Sequence, residues 1–293
     1  MTSTLRALRG GGGTGLQEGN GMRIARALLG VVGLLYGLVV LLAWAGQRQL
    51  VYNPDPRKIS PSAVGLGSVE ERWVEAADGV RFVAWYGRPR PGQPTLLYYH
   101  GNGGNLALRA ERIRRFMERG WGIYMMSYRG YSGSGGLPSE VDNVSDAKLA
   151  WQDLLRTGVR ADDVVIYGES LGTGVATQVA LDAAARGLIL DAPFTSIVDI
   201  GASRFPMLPV RLLLSHRYET INVIGEVRMP LLVVHGEADR IVPVEMGRQV
   251  FAAATRAPEP KRLVTFPGAG HANHMRFGSF DAIAAFIRDV KLH

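Results

Sequence analysis

A serine flanked by glycines is the strongest chemical signal in the sequence. The pattern Gly-Glu-Ser-Leu-Gly at residues 168–172 follows the apolar run Val-Val-Ile-Tyr and precedes an alanine-rich stretch. A G-x-S-x-G pattern between a strand and a helix holds the serine in a sharp turn that leaves room only for small neighbours. The N-terminus of the following helix favours developing negative charge. Ser170 is therefore predicted to be a nucleophile.

A serine hydroxyl needs an adjacent base at neutral pH. Among six histidines (100, 216, 235, 271, 274 and 293), His271 stands in Gly-Ala-Gly-His, directly after the last predicted strand. A histidine at this place completes a triad with the chain order serine, acid, histidine. His274 is the alternative base. The two histidines are also spaced like metal ligands, but no carboxylate cluster adjoins them in the sequence, and neither metal nor cofactor is predicted.

The acid of such a triad orients the imidazole and stabilises its charged form. Asp239 follows a predicted strand and falls between Ser170 and His271 in the chain. Asp191 also ends a predicted strand and is the rival, although it precedes Ala-Pro, where an aspartate often caps a turn. Asp239 is favoured because its place in the chain fits the triad order.

Acyl transfer also needs donors for the oxyanion of the transition state. The backbone N–H of Leu171, directly after the nucleophile, is one predicted donor. The second is the N–H of Asn102, in the glycine-rich loop His-Gly-Asn-Gly-Gly-Asn that follows the third predicted strand. His100 is expected to support this loop by hydrogen bonding. Asn105 is expected to cap the helix that follows.

These residues are placed by alternating strands and helices. Two strand-like runs joined by Asp78-Gly79 predict a hairpin, and repeated strand–helix units after it predict a mostly parallel sheet with helices on both faces. Ligands bind beyond the carboxyl ends of such strands. The predicted strands are 69–76, 80–86, 95–99, 122–127, 163–167, 187–190, 231–235 and 261–266, and the predicted helices are 106–119, 140–155, 170–184, 244–254 and 277–290.

Charge is concentrated at the N-terminal end of the chain. The formal net charge is +7, and residues 1–58 hold seven basic residues against two acidic ones. The near-neutral remainder argues against nucleic-acid binding, which requires a basic stripe. The absence of cysteine excludes disulfides, a thiolate nucleophile and cysteine-based zinc sites.

An uncharged apolar run predicts a membrane anchor. Residues 27–47 contain no charged side chain and, as a helix, would be about 31 Å long, close to the thickness of a bilayer core. We assign residues 23–47 to a transmembrane helix, with a cleaved signal peptide ending at Ala43-Trp44-Ala45 as the alternative. Residues 1–22 are expected to be disordered and residues 48–68 to form a linker. Flanking arginines favour a cytoplasmic N-terminus, which would place the main domain on the extracytoplasmic side.

Six motifs carry a resemblance to a known family. HGNGGN, SYRGYSGSGGLPSE, YGESLGTG, DAPFTS, HGEADRIVP and GAGHANH occur in this order, and over about residues 48–290 the chain resembles the membrane-anchored α/β-hydrolase-domain proteins. Depalmitoylases, lysophospholipases and uncharacterised bacterial proteins belong to that branch. The resemblance implies an α/β-hydrolase fold over residues 69–293, a short cap at about 193–228, and Ser170, Asp239 and His271 as nucleophile, acid and base. The chain lacks the cysteine-rich N-terminus that palmitoylated depalmitoylases use as an anchor.

The expected function is that of a membrane-anchored serine hydrolase. It would cleave acyl esters or thioesters, including lipid-derived ones, through an acyl-enzyme intermediate. Apolar residues of the cap would line an acyl pocket, dip into lipid or simply pack the cap. Two alternatives remain: a serine peptidase or amidase with the same triad, and a non-catalytic membrane-tethered binding module.

Overall fold

One eight-stranded sheet organises the main part of the chain. The computed structural model describes residues 15–290. Its strands are β1 (Glu70–Glu75), β2 (Arg81–Gly87), β3 (Thr95–Tyr99), β4 (Gly122–Met126), β5 (Val164–Glu169), β6 (Gly187–Asp191), β7 (Leu231–Gly236) and β8 (Lys261–Phe266). The strand order is β8-β7-β6-β5-β3-β4-β2-β1, with β1–β2 and β2–β4 antiparallel and the other neighbours parallel.

The inner strands are largely apolar, as expected where both faces of a sheet are covered. Every residue of β3, β4, β6 and β7 is buried. Alternate side chains enter separate cores: Leu97 and Tyr99 pack in one, Leu96 and Tyr98 in the other. This two-residue alternation is what a sheet between two helical layers requires. The fold is an α/β-hydrolase fold, as predicted.

Helices connect the strands, and three short ones lie in the segment for which a cap is predicted. These three helices fall within residues 193–228, where the strand–helix alternation is interrupted. The helices are α1 (Gly15–Ala45), α2 (Gln47–Val51), α3 (Ala110–Glu118), α4 (Glu140–Arg156), α5 (Leu171–Ala180), α6 (Ile197–Arg204), α7 (Val210–Leu213), α8 (Thr220–Val223), α9 (Val244–Ala253) and α10 (Ser279–Asp289).

Three helix predictions differ from the structure. The helix predicted for 170–184 is shorter and corresponds to α5, Leu171–Ala180, and two others differ at their N-terminal ends. The helix predicted for 106–119 begins as a 3₁₀ turn, Leu106–Arg109, before α3. The helix predicted from residue 277 begins at Ser279 as α10, after a separate 3₁₀ turn, His274–Phe277. Gly278 separates that turn from α10 with a φ of 96°, a left-handed conformation that interrupts a helix.

The N-terminal unit spans Met1–Gly46, and its described part, from residue 15 onward, contains helix α1. Its segment Asn20–Ala45, with a mean hydropathy of 2.4, is long and apolar enough to cross a membrane, a property that signal sequences share. Residues 15–22, which were expected to be disordered, belong to this helix, since extending an existing helix is easier than starting one. Residues 1–14, the rest of that prediction, and residues 291–293, including His293, lie outside the described part.

The second unit begins earlier than the sequence indicates, at Gln47 rather than at the first strand. Residues 48–68, predicted to be a linker, include part of α2 and a 3₁₀ turn, Pro61–Val64. Val51, Tyr52 and Leu66 of this segment are buried. The linker assignment is therefore corrected: this segment packs into the hydrolase unit because its apolar side chains are removed from water there.

Candidate active site

Ser170 occupies a strained turn between β5 and α5. Its φ of 50° and ψ of −116° are disfavoured for residues other than glycine, at a cost on the order of 1–3 kcal/mol. Two glycines permit the turn: a β-carbon on Gly172 would lie 2.0 Å from the Tyr99 carbonyl oxygen, and one on Gly168 would lie 2.5 Å from the Gly172 carbonyl oxygen. The spacing of the glycines thus reflects backbone contact with β3 and within the turn.

Three predicted side chains meet in one hydrogen-bonded chain. The distance from Ser170 Oγ to His271 Nε2 is 2.8 Å, and that from His271 Nδ1 to Asp239 Oδ2 is 2.6 Å. His271 follows β8 and Asp239 follows β7, so both are carried by loops at the carboxyl end of the sheet. The side chain of His271 is 17% exposed, whereas that of Asp239 is fully buried. The arrangement leads from a buried carboxylate to a partly accessible hydroxyl.

Asp239 is held as a carboxylate by its surroundings. Its Oδ1 accepts hydrogen bonds from the backbone N–H groups of Ile241 (2.8 Å) and Val242 (2.9 Å). The buried His235 ring lies beside it, with Nε2 3.4 Å from Asp239 Oδ2 and 2.9 Å from the Val242 carbonyl oxygen. Burial alone would raise the pKa of Asp239, but the contacts with His235, His271 and the backbone hold this pKa well below its usual range. His235 is a supporting residue that the sequence analysis did not identify.

The two rival residues, His274 and Asp191, contact each other. His274 Nε2 lies 2.8 Å from Asp191 Oδ1, and His274 Nδ1 lies 2.8 Å from Ser279 Oγ. Their side chains are almost completely buried. Burial lowers the pKa of His274, but the Asp191 carboxylate outweighs this effect, and the pKa is raised. The two histidines therefore have different partners, which does not fit a shared metal site.

A buried arginine connects Asp191 with the residue before the nucleophile. Arg112 Nη1 lies 3.2 Å from Asp191 Oδ2 and 3.7 Å from Glu169 Oε2, and it also donates to the Tyr98 hydroxyl. Tyr98 donates to Glu169 at 2.7 Å. Burial would raise the pKa of Glu169, but Arg112 and Arg109 lower it to about 2. Nothing in the local sequence pattern distinguishes Arg112 from the other arginines of α3.

Leu171 directly follows Ser170, and the loop that carries Asn102 approaches Ser170 at Gly101. Leu171 is the first residue of α5, and a β-carbon on Gly101 would lie 3.5 Å from the Ser170 β-carbon. His100 Nδ1 lies 2.6 Å from the Gly101 carbonyl oxygen, so it fixes the peptide that also carries the Asn102 N–H. Burial and nearby Arg109 lower the pKa of His100 to about 3, which leaves its ring neutral. His100 thus supports the loop, as expected from the sequence.

The expectation for Asn105 was wrong. This residue precedes the 3₁₀ turn Leu106–Arg109, but its side chain does not cap the turn. Its Nδ2 instead donates to Asp55 Oδ2 at 2.6 Å. A local capping pattern was overridden by a partner 50 positions earlier, which no local pattern reveals.

The fold and the site define an α/β hydrolase of the esterase or peptidase type. The family model described as serine aminopeptidase, S33, matches residues 91–223. The chain belongs to the α/β-hydrolase family. This membership is shown by a relative that spans most of the chain, the α/β-hydrolase domain-containing protein WAV2 of Arabidopsis thaliana, which is 30% identical and aligned over 85% of this chain and 88% of its own.

Two further proteins resemble this chain, one in sequence and one in structure. The uncharacterised protein Rv2307c of Mycobacterium tuberculosis is 35% identical, with 84% of this chain and 88% of the relative covered. The solved structure of the Pyrococcus furiosus esterase Pf2001 superposes with a TM-score of 0.64 at 17% identity, over 82% of this chain and all of that one. The second comparison shows that the fold is shared.

Proposed function

We propose that this protein is a serine hydrolase in which Ser170, His271 and Asp239 act as nucleophile, base and acid. The observation that carries the proposal is the pair of hydrogen bonds, 2.8 Å and 2.6 Å, that joins the three side chains in that order. Nucleophile, base and orienting group at such distances are the geometric signature of an activated serine. The strained backbone of Ser170 is in keeping with this role.

The reaction follows from this geometry. Ser170 Oγ attacks the substrate carbonyl carbon while His271 Nε2 takes the hydroxyl proton. The imidazolium that forms is stabilised by the Asp239 carboxylate. His271 then gives the proton to the leaving group, which departs and leaves an acyl-enzyme. Water, deprotonated by His271, attacks the acyl-enzyme, and the acid is released with Ser170 restored.

The negative charge of each tetrahedral intermediate falls on the former carbonyl oxygen. We assign its stabilisation to the backbone N–H groups of Leu171 and Asn102, one at the N-terminus of α5 and one in the glycine-rich loop after β3. Donors fixed in place before reaction need no reorganisation when charge develops. The hydrogen bond of His100 to the Gly101 carbonyl supports this assignment because it orients the intervening peptide.

The proposed substrates are acyl esters or thioesters, with lipid-derived ones included, as in depalmitoylase-like or lysophospholipase-like hydrolases. The cap exposes large apolar side chains: Phe205 is 41%, Met207 80% and Leu212 87% exposed. Such residues suit an acyl chain or a lipid surface. The apolar segment Asn20–Ala45 supports a membrane anchor. The proposal that the hydrolase domain lies on the extracytoplasmic side depends on the flanking arginines alone.

A second candidate function is peptide or amide hydrolysis. The observation that favours it is the match of residues 91–223 to the serine aminopeptidase model. The same three side chains cleave amides and esters, so the site geometry alone is compatible with both. Substrate preference therefore separates the two functions.

The decisive experiment labels the detergent-solubilised full-length protein with a fluorophosphonate, which reacts with activated serines. We expect labelling of the wild type and none of Ser170→Ala. Ser279→Ala is the matched control, because that hydroxyl contacts the other histidine, and it should label normally. Lack of labelling of the folded wild type would overturn the proposal in favour of a tethered binding module.

Labelled protein is then assayed with two substrate series. One contains p-nitrophenyl esters of increasing acyl length, and the other contains aminoacyl p-nitroanilides. We expect a higher kcat/KM for the esters than for the anilides, and the reverse preference would support the peptidase.

A further inference from the structure

A short segment before the first strand runs alongside the glycine-rich loop. We call residues 51–55 the strap. Within the strap, Asn53 and Pro54 pair in parallel with Gly103 and Gly104. The N–H of Asn53 donates to the Asn102 carbonyl oxygen at 3.1 Å, and the N–H of Asp55 donates to the Gly104 carbonyl oxygen at 3.0 Å. The strap is therefore a backbone partner for the loop beside Ser170.

Side chains add two more links between the strap and the loop. Asn102 Nδ2 donates to the Val51 carbonyl oxygen at 2.9 Å. Asn105 Nδ2 donates to Asp55 Oδ2 at 2.6 Å. Both the carbonyl and the side-chain amide of Asn102 thus bind the strap, and the carbonyl also accepts a hydrogen bond from the Tyr131 hydroxyl at 2.7 Å.

The strap is itself fixed from its other side. The Ser132 N–H donates to the Asp55 carbonyl oxygen at 2.9 Å. The Tyr52 ring is buried, and its hydroxyl lies 3.0 Å from that of Tyr218 in the cap. Asn143 Nδ2 donates to the same Tyr218 hydroxyl at 2.9 Å. These contacts hold the strap in place from the side opposite the glycine-rich loop.

We propose that the strap positions the second oxyanion donor, the Asn102 N–H, and that Asp55 and Asn105 are positioning residues for catalysis. This inference rests on the proposed function. Gly101, Gly103 and Gly104 give the loop little conformational restraint of its own. A shift of about 1 Å in a reacting group lowers rates by about 100-fold, so a loop of this composition needs external fixing.

The contact between positions 55 and 105 can be broken and rebuilt. Asn105→Asp places two carboxylates face to face and removes the donor, which should displace the loop. Exchange of the two side chains in Asp55→Asn/Asn105→Asp restores one amide donor and one carboxylate acceptor. Arg57→Ala is the matched control, because Arg57 binds the same Asp55 carboxylate from the solvent side. It leaves the contact with Asn105 in place.

The measurement compares a p-nitrophenyl ester with its thiono analogue, in which sulfur replaces the carbonyl oxygen and accepts hydrogen bonds weakly. For Asn105→Asp we expect kcat on the ester to fall by about 10- to 100-fold with little change in KM, while the slower thiono reaction changes less. The ratio of the rate on the ester to the rate on its thiono analogue should therefore become smaller. It should return toward the wild-type ratio in the exchanged pair and stay unchanged in Arg57→Ala.

An unchanged ratio in folded Asn105→Asp, or no recovery in the exchanged pair, would overturn the inference. Should Asn105→Asp fail to fold, Asp55→Ala removes the acceptor without adding charge, and the same narrowing is expected. Rates are normalised to the fluorophosphonate-reactive fraction. A failure of the proposed function is recognised separately, because then the wild type would not label or Ser170→Ala would still hydrolyse the ester.

Discussion

Two histidine–aspartate pairs lie close together in the chain and differ in what they reach. In the first, His271 joins Asp239 to the hydroxyl of Ser170. In the second, His274 joins Asp191 to the hydroxyl of Ser279. Both are serine–histidine–aspartate chains with hydrogen-bond distances of at most 2.8 Å.

The two serine–histidine–aspartate sets differ in the solvent exposure of the histidine and in the backbone conformation of the serine. The His271 side chain is 17% exposed and that of His274 is 1% exposed. Ser170 lies in a strained turn, whereas Ser279 is buried as the first residue of α10. The difference teaches that residue types and distances do not by themselves define a nucleophile. The hydroxyl must also be presented where a substrate can arrive.

The largest expected effect comes from removal of each histidine in turn. His271→Ala removes the proposed base and should lower kcat by about 10⁴-fold or more, with little loss of stability. His274→Ala breaks a buried ion pair and should lower the free energy of unfolding by about 3 kcal/mol. Ester hydrolysis per folded molecule and urea unfolding check the two outcomes. A comparable loss of kcat in folded His274→Ala would contradict the assignment of His271 to catalysis and His274 to stability.

We expect the same contrast between Asp239 and Asp191, with smaller effects on kcat than for the histidines. Asp239→Asn keeps the shape but loses the charge that stabilises the imidazolium, and kcat should fall by about 10³- to 10⁴-fold. Asp191→Asn leaves the buried Arg112 short of a carboxylate and should mainly destabilise the fold. Steady-state kinetics and denaturant unfolding are measured on both. If Asp191→Asn had the larger rate effect at full stability, the two assignments would have to be exchanged.

The smallest effect is a pH dependence specific to the buried pair. The pKa of His274 is raised by Asp191 despite burial and the opposing charge of Arg112, while Glu169 also favours the charged ring. A histidine with a raised pKa stabilises the fold fully below its unfolded value of about 6.5, and this contribution is lost as pH rises through the folded pKa. Between pH 6 and pH 9 the wild-type Tm should therefore fall more than that of His274→Gln. If thermal unfolding gave the same dependence of Tm on pH for the wild type and His274→Gln, this expectation would be contradicted.

Much of the sheet could be predicted because each strand carries its own signal. The bounds of β3 and β8 agree with the prediction at both ends. Each strand is preceded by a proline and followed by a glycine-containing turn, and β3 is in addition a short, largely apolar run. The meeting of Ser170, Asp239 and His271 was also anticipated in outline, because loops after parallel strands converge at one edge. Their catalytic roles stay a prediction.

Other features depend on partners far apart in the chain. Asn105 has the type and place of a helix cap, yet its side chain binds Asp55. His274 and Asp191 were considered only as alternatives to the favoured base and acid, and their mutual contact brings together positions 83 residues apart. Arg112 is buried among charges supplied by β5 and β6. Such contacts arise from packing between elements, which local periodicity does not encode.

The position of the strap has a consequence for the mature form of the protein. The small-x-small sequence Ala43-Trp44-Ala45 ends before Gln47, where the hydrolase unit begins. A cut after Ala45 would leave every strap residue on the enzyme, as would retention of α1. A shortened chain that started at β1 would instead leave the Gly104 carbonyl without the Asp55 N–H and the Asn102 carbonyl without the Asn53 N–H, so that the Tyr131 hydroxyl alone of these donors would bind Asn102. Processing at the N-terminus and support of the loop are thus separable, and the shortest competent chain is expected to start near residue 47.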